Sequence, residues 1–245
     1  MSAAVNDCDA LASLFNTPFY QGLLQRIPRK AASRLARSRV LIVGLGGLGS
    51  HIALSLVRSG VRILYLADSD RVDETNLHRQ SYGWAAVGKL KTQALSQELL
   101  ALNPDCDLTL CPSVTPRALE GLLDRVDLII EAVDEAKTKA WIAQTILSQE
   151  GPPLISASGM AGLSSFNQLR VHQKGPRWIL CGDGVSHLSP NAALYAPRVQ
   201  ACAAAQALCA LQLLLGLPVD APTQDPNEFM QGGPCHEPNN PHPRQ

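Results

Sequence analysis

Polar side chains that suit ribose and phosphate follow a predicted strand in the stretch DSDRVDETNLHRQ, residues 68–80. Asp68 ends the apolar run VRILYLA, where the carboxylate of a dinucleotide-binding fold accepts hydrogen bonds from ribose hydroxyls. Asp70 adds a second acid, Asn76 can hydrogen-bond to phosphate or ribose without adding charge, and Arg79 presents a rigid fork of donors that matches phosphate oxygens. A nicotinamide cofactor does not need this set, so the stretch favours a triphosphate with a metal. The alternative is a solvated loop with a helix-capping asparagine.

A glycine-rich loop lies one predicted helix and one predicted strand before this stretch. Gly44, Gly46 and Gly49 form G-x-G-x-x-G between the apolar run RVLIV and the helical pattern SHIALSLVRSG. The first glycine allows a tight turn, the second lets a phosphate approach the backbone, and the third lets helix and strand pack closely. The amides of the helix N-terminus then favour an anion. The motif alone does not separate one nucleotide cofactor from another, and a packing turn without a ligand is the alternative.

Two lysines and a later aspartate complete the candidate set. Lys89 and Lys91 stand in GKLK at the start of a predicted helix, where a lysine opposes the helix dipole unless an anion is also present. Asp134 follows the predicted strand VDLIIEAV, at the end of a strand where open α/β sheets bind ligands. Its carboxylate could hold Mg²⁺, cap the helix that begins near Glu135, or do both.

Composition and charge restrict the class of protein. The 245 residues are 46% hydrophobic and 17% charged, which predicts a sizeable core. The formal net charge is zero, so nothing draws the whole chain to nucleic acid or to an anionic membrane. Seven irregularly spaced cysteines without a Cys-x-x-Cys pair indicate free thiols in a reducing compartment, and the acidic N-terminal residues do not resemble an export signal. We therefore expect a cytoplasmic protein.

Strand and helix patterns alternate from residue 39 to residue 158, and DLTLCPSV, residues 107–114, is one of the predicted strands. This alternation predicts an α/β fold with a Rossmann-like, doubly wound and mostly parallel sheet. FNQLRVHQ and RWILCG then predict an antiparallel hairpin added to the sheet edge. The uncharged segment VQACAAAQALCALQLLLGL predicts a buried or dimer-interface helix rather than a membrane span, because alanine dominates and three glutamines interrupt it.

The predicted organisation has three parts. Residues 1–38 form an N-terminal helical segment that Pro28 divides, and residues 39–217 form the nucleotide-binding domain. Residues 218–245 contain seven of the 17 prolines and are expected to form a flexible tail.

The chain resembles the family of ThiF, MoeB and HesA, the bacterial relatives of ubiquitin-activating enzymes, in four segments that follow in order at matching spacing between residues 39 and 160: RVLIVGLGGLGS, LADSDRVDETNLHRQ, VGKLK and EAVDEAKTK. Three more segments, SASGMAG, LCGDGVS and APRVQACAAAQA, are similar to the shorter ThiF type and extend the resemblance to about residue 216. That type adenylates the sulfur carrier ThiS for thiamine biosynthesis, so the resemblance implies an ATP-dependent adenylyltransferase.

The resemblance also implies roles for the matching residues. Asp68 would bind ribose, Arg79 and Lys91 would meet the phosphates, and Asp134 would ligate Mg²⁺. Arg79, Lys91 and Asp134 are therefore the expected catalytic residues, and Lys89 is not expected to take part. The whole expected nucleotide-binding set comprises Gly44, Gly46, Gly47, Gly49, Asp68, Asp70, Asn76, Arg79, Gln80 and Lys91.

Two features depart from the family pattern. Longer relatives carry two Cys-x-x-Cys pairs that bind structural zinc, and this sequence has none, so no zinc is expected. Many relatives place an arginine from the N-terminal helix of a partner subunit in the active site; Arg26 and Arg29 are candidates, but the surrounding motif is not recognisable. Some relatives use a cysteine in the region of Cys181, although a cysteine after WIL is more often a small buried hydrophobe.

A homodimer is expected because the uncharged helix requires burial.

The implied reaction joins the C-terminal carboxylate of a carrier protein to the α-phosphate of ATP. A C-terminal carboxyl has a pKa of about 3.3–3.7, so it is already an anion at neutral pH and needs no general base. The difficulty is the approach of an anion to a polyanion, which Mg²⁺, one arginine and one lysine relieve. A groove near residues 156–185 is expected to hold the carrier's tail.

Four alternatives to ThiS adenylation stay open at this point. Two belong to the same family: adenylation of another ubiquitin-like carrier, such as the molybdopterin synthase small subunit, and dehydration of tRNA threonylcarbamoyladenosine. The balanced charge counts against tRNA. The other two are an NAD-dependent oxidoreductase, which would be indifferent to Arg79 and Lys91, and a scaffold that binds nucleotide without turnover.

Overall fold

The computed structural model describes residues 11–112, 115–187 and 193–219. Seven strands form a single sheet in the order β3-β2-β1-β4-β5-β7-β6, in which every neighbouring pair is parallel except β6 and β7. This confirms the predicted doubly wound sheet with an antiparallel edge hairpin. The strands are β1 (Arg39–Val43), β2 (Ile63–Ala67), β3 (Asp107–Cys111), β4 (Leu128–Glu131), β5 (Leu154–Ala157), β6 (Arg170–Gly175) and β7 (Trp178–Gly182).

Helices connect the strands and cover both faces of the sheet. We number the α-helices that follow residue 17 as α1 (Pro18–Leu24), α2 (Arg29–Arg37), α3 (Gly47–Arg58), α4 (Lys91–Leu102), α5 (Pro116–Glu120), α6 (Ala136–Leu147) and α7 (Ala196–Leu215). Short 3₁₀ turns occupy Glu74–Asn76, Trp84–Ala86, Leu123–Arg125 and Phe166–Gln168.

Strand β1 is buried on both faces, as expected for the centre of a parallel sheet. Val40 and Ile42 point into a core shared with α3, α4 and α7, whereas Leu41 and Val43 point into a second core beneath α5 and α6. The sequence of this strand is therefore continuously apolar instead of alternating. Two separate apolar layers hold the strand ends, and the loops that follow them, in fixed positions.

The N-terminal helices dock away from the carboxyl ends of the strands. The hydroxyl of Tyr20 donates to the carbonyl of Gly60, and the hydroxyl of Thr17 donates to Asp105. Pro28 stands at the N-cap of α2 and separates it from α1, as the sequence predicts. The boundary of the N-terminal segment at residue 38 stays a prediction, and residues 1–10 and 220–245, which include most of the predicted tail, lie outside the described residues.

Helix α7 is long and apolar enough to cross a membrane by length and composition, but half of its apolar window is buried inside the protein. It packs against α3 and against strands β4, β5 and β7. Gly216, with φ of +71°, ends it in the left-handed conformation that glycine adopts most easily. The helix is therefore part of the core of this fold, in agreement with the predicted burial.

The structure corrects three local predictions. Residues 166–168 of FNQLRVHQ form a 3₁₀ turn instead of strand, because the Ser165 hydroxyl accepts from the Asn167 amide and starts a turn there. The strand of the hairpin begins only at Arg170. The strand predicted as DLTLCPSV ends at Cys111, and residues 113–114 lie outside the described residues. Asp134 does not cap α6, because Glu135 occupies the N-cap position.

We predict that Gly49→Ala destabilises the fold strongly. A Cβ at this position would lie 1.8 Å from the backbone oxygen of Gly44, so the contact between α3 and the glycine loop would have to open. The free energy of unfolding should fall by at least about 3 kcal/mol, as for an overpacked core, which corresponds to a melting temperature about 6–12 °C lower in a domain of this size. The matched control is Gly83→Ala, where a Cβ meets no atom within 4 Å. Equal melting temperatures for the two variants would contradict the close approach.

Candidate active site

The register of the three central strands brings the candidate residues to one edge of the sheet. Val43 pairs with Ala67 on one side and with Glu131 on the other, so β1, β2 and β4 end at the same level. Gly44, Asp68 and Ala132 follow these three residues directly. The edge also contains the point where the strand order reverses, between β1 and β4, which is where open α/β sheets bind ligands.

The glycine loop gives each of its first three glycines a different environment. Gly44 has a φ of +90°, and a Cβ there would lie 2.7 Å from the backbone of Ala132, so this turn requires glycine. Beside Gly46 the only atom within 4 Å of a Cβ would be Nε2 of Gln80, at 3.7 Å, which leaves space for a ligand to approach the backbone. A Cβ on Gly47 would lie 3.0 Å from Val199 and 3.3 Å from the carbonyl of Arg79. The loop is open only where a phosphate would approach.

Asp68 joins the glycine loop to the segment that follows β2. Its Oδ2 accepts from the Leu45 amide at 2.7 Å, and its Oδ1 accepts from the Asp70 amide at 2.8 Å. The residue is only 7% exposed. A carboxylate has about four lone-pair positions, so two remain for ribose hydroxyls after these two hydrogen bonds.

Lys91 reaches into the same cleft from the first residue of α4. Its Nζ lies 2.7 Å from Oδ2 of Asp70 and 3.6 Å from Oδ2 of Asp68, and the residue is only 7% exposed. Lys89 is exposed and hydrogen-bonds to Gln97 instead. The structure therefore places Lys91 in the cleft and Lys89 outside it, while the role of Lys91 in phosphate binding stays a prediction.

Side-chain hydrogen bonds join residues 79–82, here called the Arg79 segment, to the glycine loop and to α3. Nε2 of His51, one turn into α3, lies 3.2 Å from the carbonyl oxygen of Arg79. Burial lowers the pKa of His51, so the neutral ring donates from Nε2 to that oxygen. The buried hydroxyl of Tyr82 donates to the carbonyl of Leu45 at 2.7 Å. The Arg79 segment and the glycine loop thus form one unit.

Two amide side chains beside Arg79 have polar atoms available for a ligand. Gln80 is buried, and its Oε1 has no hydrogen-bond partner among the described residues. Asn76 is half-buried at the end of a 3₁₀ turn that Asp73 caps, so Asn76 is not the capping residue that the alternative reading assumed. Its side chain makes no hydrogen bond to the described residues. A nucleotide in the cleft would give both amides partners.

Asp134 lies close enough to Arg79 for its charge to act on the guanidinium. Burial lowers the pKa of Arg79, and the charge of Asp134 opposes that effect, so the guanidinium stays protonated at neutral pH. Asp134 is exposed and makes no hydrogen bond within the described part of the chain. One free carboxylate beside a phosphate site fits Mg²⁺, which takes one or two protein carboxylates and completes its shell with phosphate oxygens and water.

An apolar cavity of about 180 Å³ opens beside the glycine loop on the α5 side of the sheet. It lies next to the carboxyl ends of β1, β2 and β3, one residue from Asp68. Its size and apolar lining suit a flat aromatic base. The lining consists of Leu41, Val43, Ala67, Cys111, Ala118, Leu119 and Leu122.

Sequence reasoning missed two buried ion pairs near the cleft. Glu131 pairs with Lys139 at 2.8 Å, and Asp183 pairs with Arg198 at 2.5 Å. Although burial alone would raise the pKa of Asp183, hydrogen bonds from Ser186, Val185 and Arg198 hold it at about 2. The segments LCGDGVS and APRVQACAAAQA contain Asp183 and Arg198, but nothing in either segment indicates that the two residues meet.

Cys181 is fully buried at the end of β7, with its sulfur 4.0 Å from that of Cys209. Its environment agrees with the small-hydrophobe interpretation. The expected carrier groove around residues 156–185 stays a prediction. In that region Arg198 binds the carbonyls of Ser164 and Ser165, and Leu163, Phe166 and Val185 are strongly exposed.

Comparison with known sequences gives one family. The ThiF family matches residues 20–233. Among curated proteins, the chain is 38% identical over 142 residues to the sulfur carrier protein ThiS adenylyltransferase of Escherichia coli, which covers 57% of this chain and 56% of that protein. It is 35% identical over 142 residues to the tRNA threonylcarbamoyladenosine dehydratase of Haemophilus influenzae, covering 57% of this chain and 54% of that protein. The matched region therefore spans about half the length of these relatives.

Comparison with solved structures supports the fold. The E. coli tRNA N6-threonylcarbamoyladenosine dehydratase TcdA, solved in complex with AMP, superposes with a TM-score of 0.73 at 20% identity and covers 82% of this chain and 97% of its own. E. coli MccB, solved with AMPCPP and MccA, superposes with a TM-score of 0.59 at 22% identity and covers 75% of this chain and 58% of its own. At these identities the likeness concerns the α/β architecture.

We predict that Asp68→Asn destabilises the protein in the absence of any ligand. An asparagine has one acceptor oxygen, so its NH₂ group would face either the Leu45 amide or the Asp70 amide, both of which are donors. Leaving such a buried donor unsatisfied costs about 1–3 kcal/mol, and urea unfolding should show a loss of about 2 kcal/mol. Asp107→Asn is the matched control, because Asp107 is exposed and makes no side-chain hydrogen bond to the described residues. A loss no larger than that of the control would contradict the assigned hydrogen bonds.

Proposed function

The chain belongs to the ThiF family, and we propose that it is an enzyme that transfers the adenylyl group of ATP to the C-terminal carboxylate of a ubiquitin-like sulfur carrier protein, with ThiS as the carrier. One observation carries the proposal. A single cleft contains the open glycine loop, the buried Asp68 and Lys91, and Arg79 with Asp134 close to it.

The arrangement of charges suits adenylation more than hydride transfer. In the proposed step a carboxylate oxygen attacks the α-phosphorus, the bond from that phosphorus to the bridging oxygen of the β-phosphate breaks, and pyrophosphate leaves. The attacking group is already an anion at neutral pH, so the enzyme must reduce repulsion and align the reactants. A hydride transfer would not use Arg79, Lys91 and Asp134 in this way.

Each part of the cleft has a distinct role in the proposal. The base of ATP occupies the apolar cavity, and the ribose hydroxyls use the free lone pairs of Asp68. The phosphates lie along Gly46 and the amides of α3, where Arg79 and Lys91 donate to them. Asp134 holds Mg²⁺, which when bound neutralises part of the phosphate charge.

Lys91 must exchange its contact with Asp70 for one with phosphate. Asp70 is mostly exposed, with 67% of its side chain accessible, whereas Asp68 is buried and fixed by the backbone. A phosphate oxygen can therefore compete with Asp70 for the lysine, and Asp68 keeps the ammonium group in the cleft. In the proposal, Asp70 is the partner of the lysine until the nucleotide binds.

The carrier's tail reaches the cleft past the exposed apolar residues Leu163, Phe166 and Val185. A folded carrier needs an apolar contact surface of this kind. We also propose a homodimer, because Leu208 on the unburied side of α7 is 57% exposed. Light scattering in solution, which measures the molar mass of the particle, tests this proposal. We propose a cytoplasmic location, because a reducing compartment suits cysteines that form no disulfide among the described residues.

A second candidate is dehydration of tRNA threonylcarbamoyladenosine. The observation that favours it is the 35% identity to the H. influenzae dehydratase, over a region as long as the match to ThiS adenylyltransferase. The threonyl carboxylate of that nucleoside is also an anion, so the same cleft could activate it. The difference between the two candidates lies in the partner and not in the nucleotide chemistry.

We predict that carrier-dependent exchange of pyrophosphate into ATP depends on three residues. Arg79→Ala, Lys91→Met and Asp134→Asn should each lower the exchange rate by at least about tenfold, which is about 1.4 kcal/mol of transition-state stabilisation. The assay uses purified wild-type and variant protein with ThiS, with the small subunit of molybdopterin synthase, and with tRNA that carries threonylcarbamoyladenosine.

The matched control is Lys89→Met, because Lys89 is exposed and lies outside the cleft. Its exchange rate should equal that of the wild type. Unchanged exchange in the three cleft variants would overturn the site assignment. Activity with the modified tRNA and none with either carrier would replace the leading candidate with the second.

A further inference from the structure

A buried ion pair lies behind Asp134 and takes no part in the proposed steps. Glu131 is the last residue of β4, and Lys139 lies in the first two turns of α6. Oε1 of Glu131 lies 2.8 Å from Nζ of Lys139, with 2% and 25% of the two side chains exposed. The pair closes the short connection, residues 132–135, on which Asp134 stands.

Each residue of this pair makes a further hydrogen bond to the backbone near the connection. Oε1 of Glu131 also accepts from the Val133 amide at 2.8 Å, directly before Asp134. Nζ of Lys139 donates to the carbonyl of Ala157 at 2.9 Å, which ties α6 to the end of β5. The carboxylate of Glu131 and the ammonium group of Lys139 therefore restrict the backbone conformation directly before Asp134.

The other side of the connection is equally restricted. The Ala132 amide donates to the carbonyl of Val43 at 2.8 Å, and a Cβ on Gly44 would already clash with the Ala132 backbone. Nε2 of Gln206, from α7, donates to the carbonyl of Glu131 at 3.1 Å. The connection is held between the glycine loop and the ion pair, while the Asp134 side chain at its tip is exposed.

Stability alone does not account for the pair. Taking two charges out of water costs several kcal/mol for each ion, and apolar residues of similar volume often stabilise a core as well or better. A charged pair can nevertheless fix the orientation of a backbone segment more narrowly than apolar contacts do, because hydrogen bonds have preferred distances and angles.

We propose that Glu131 and Lys139 are positioning residues for a divalent cation: through the Val133 amide they hold Asp134 in the orientation in which its carboxylate meets the cation on the nucleotide phosphates. The inference rests on the proposed function for the role of Asp134. Residues that orient a metal ligand in this way typically change metal affinity by about 10–100-fold when they are replaced.

The test measures cation binding without turnover. Mn²⁺ serves as the probe, and its electron paramagnetic resonance signal gives the dissociation constant in the presence of AMPCPP, a non-hydrolysable ATP analogue. The double variant Glu131→Met with Lys139→Met removes both charges and the acceptor of the Val133 amide, and it leaves no buried ion unpaired. We expect it to bind AMPCPP as the wild type does and to bind Mn²⁺ about tenfold more weakly.

Two further variants separate positioning from folding. Lys139→Arg keeps the charge and the donors and should restore Mn²⁺ affinity to within about twofold of the wild type, well below the tenfold change that loss of the pair predicts. If the double variant does not fold, Lys139→Met alone decides, because it removes the ammonium group that holds the Glu131 carboxylate beside the Val133 amide. The matched control replaces the exposed pair Arg39 and Asp127, which lies at the opposite end of β1 and β4, by Arg39→Met with Asp127→Asn.

The outcomes distinguish this inference from the proposed function. Mn²⁺ affinity unchanged in the double variant, or in Lys139→Met where that single variant decides, would overturn the inference and leave a purely structural pair. The inference would also be overturned if the wild-type protein bound AMPCPP but its complex with AMPCPP bound no Mn²⁺. Normal Mn²⁺ and AMPCPP binding with no exchange for any carrier or tRNA would instead overturn the proposed reaction and leave the positioning role standing.

Discussion

The cleft is organised around the buried carboxylate of Asp68. It accepts from one amide of the glycine loop and from one amide of the segment after β2, and it stands beside the ammonium group of Lys91. A charge at this depth is stable only when hydrogen bonds and a counter-ion replace water. Those partners come from three separate segments, so the carboxylate fixes the glycine loop, the Asp70 turn and the start of α4 relative to one another.

The sheet supplies the rest of the geometry. Because β1, β2 and β4 end at one level, the residues that follow them, Gly44, Asp68 and Ala132, lie at one edge of the sheet. Two close backbone approaches, Gly49 against Gly44 and Gly44 against Ala132, keep α3 and the Asp134 connection against that edge. Around this rigid frame, Arg79 and Lys91 supply positive charge and Asp134 supplies an exposed carboxylate. In the proposed function, the phosphates of a nucleotide meet the two cationic side chains, and the carboxylate holds the metal ion.

The sequence predicts much of this arrangement for identifiable reasons. The alternation of apolar and helical segments predicts the sheet, and the G-x-G-x-x-G motif with Asp68 predicts the loop, because both patterns are local. The family resemblance favoured Lys91 instead of Lys89 as the lysine that contacts phosphate. In the structure, Lys91 is buried in the cleft and Lys89 is exposed. The pairs Glu131–Lys139 and Asp183–Arg198 could not be predicted, since each joins segments whose proximity depends on the tertiary fold. The 3₁₀ turn at residues 166–168 was missed because a serine hydroxyl outweighs an apolar alternation there.

In the proposed binding mode, the base of ATP occupies the apolar cavity, the ribose lies at Asp68, and the phosphates lie along the glycine loop. A crystal structure of the protein with AMPCPP and Mg²⁺ tests it most directly. We expect the base among Val43, Ala67 and Leu119, the ribose hydroxyls on Asp68, and the phosphates within hydrogen-bond distance of Arg79 and of a Lys91 released from Asp70. An analogue bound elsewhere, or bound in the cleft with its phosphates pointing away from Arg79 and Lys91, would contradict the account.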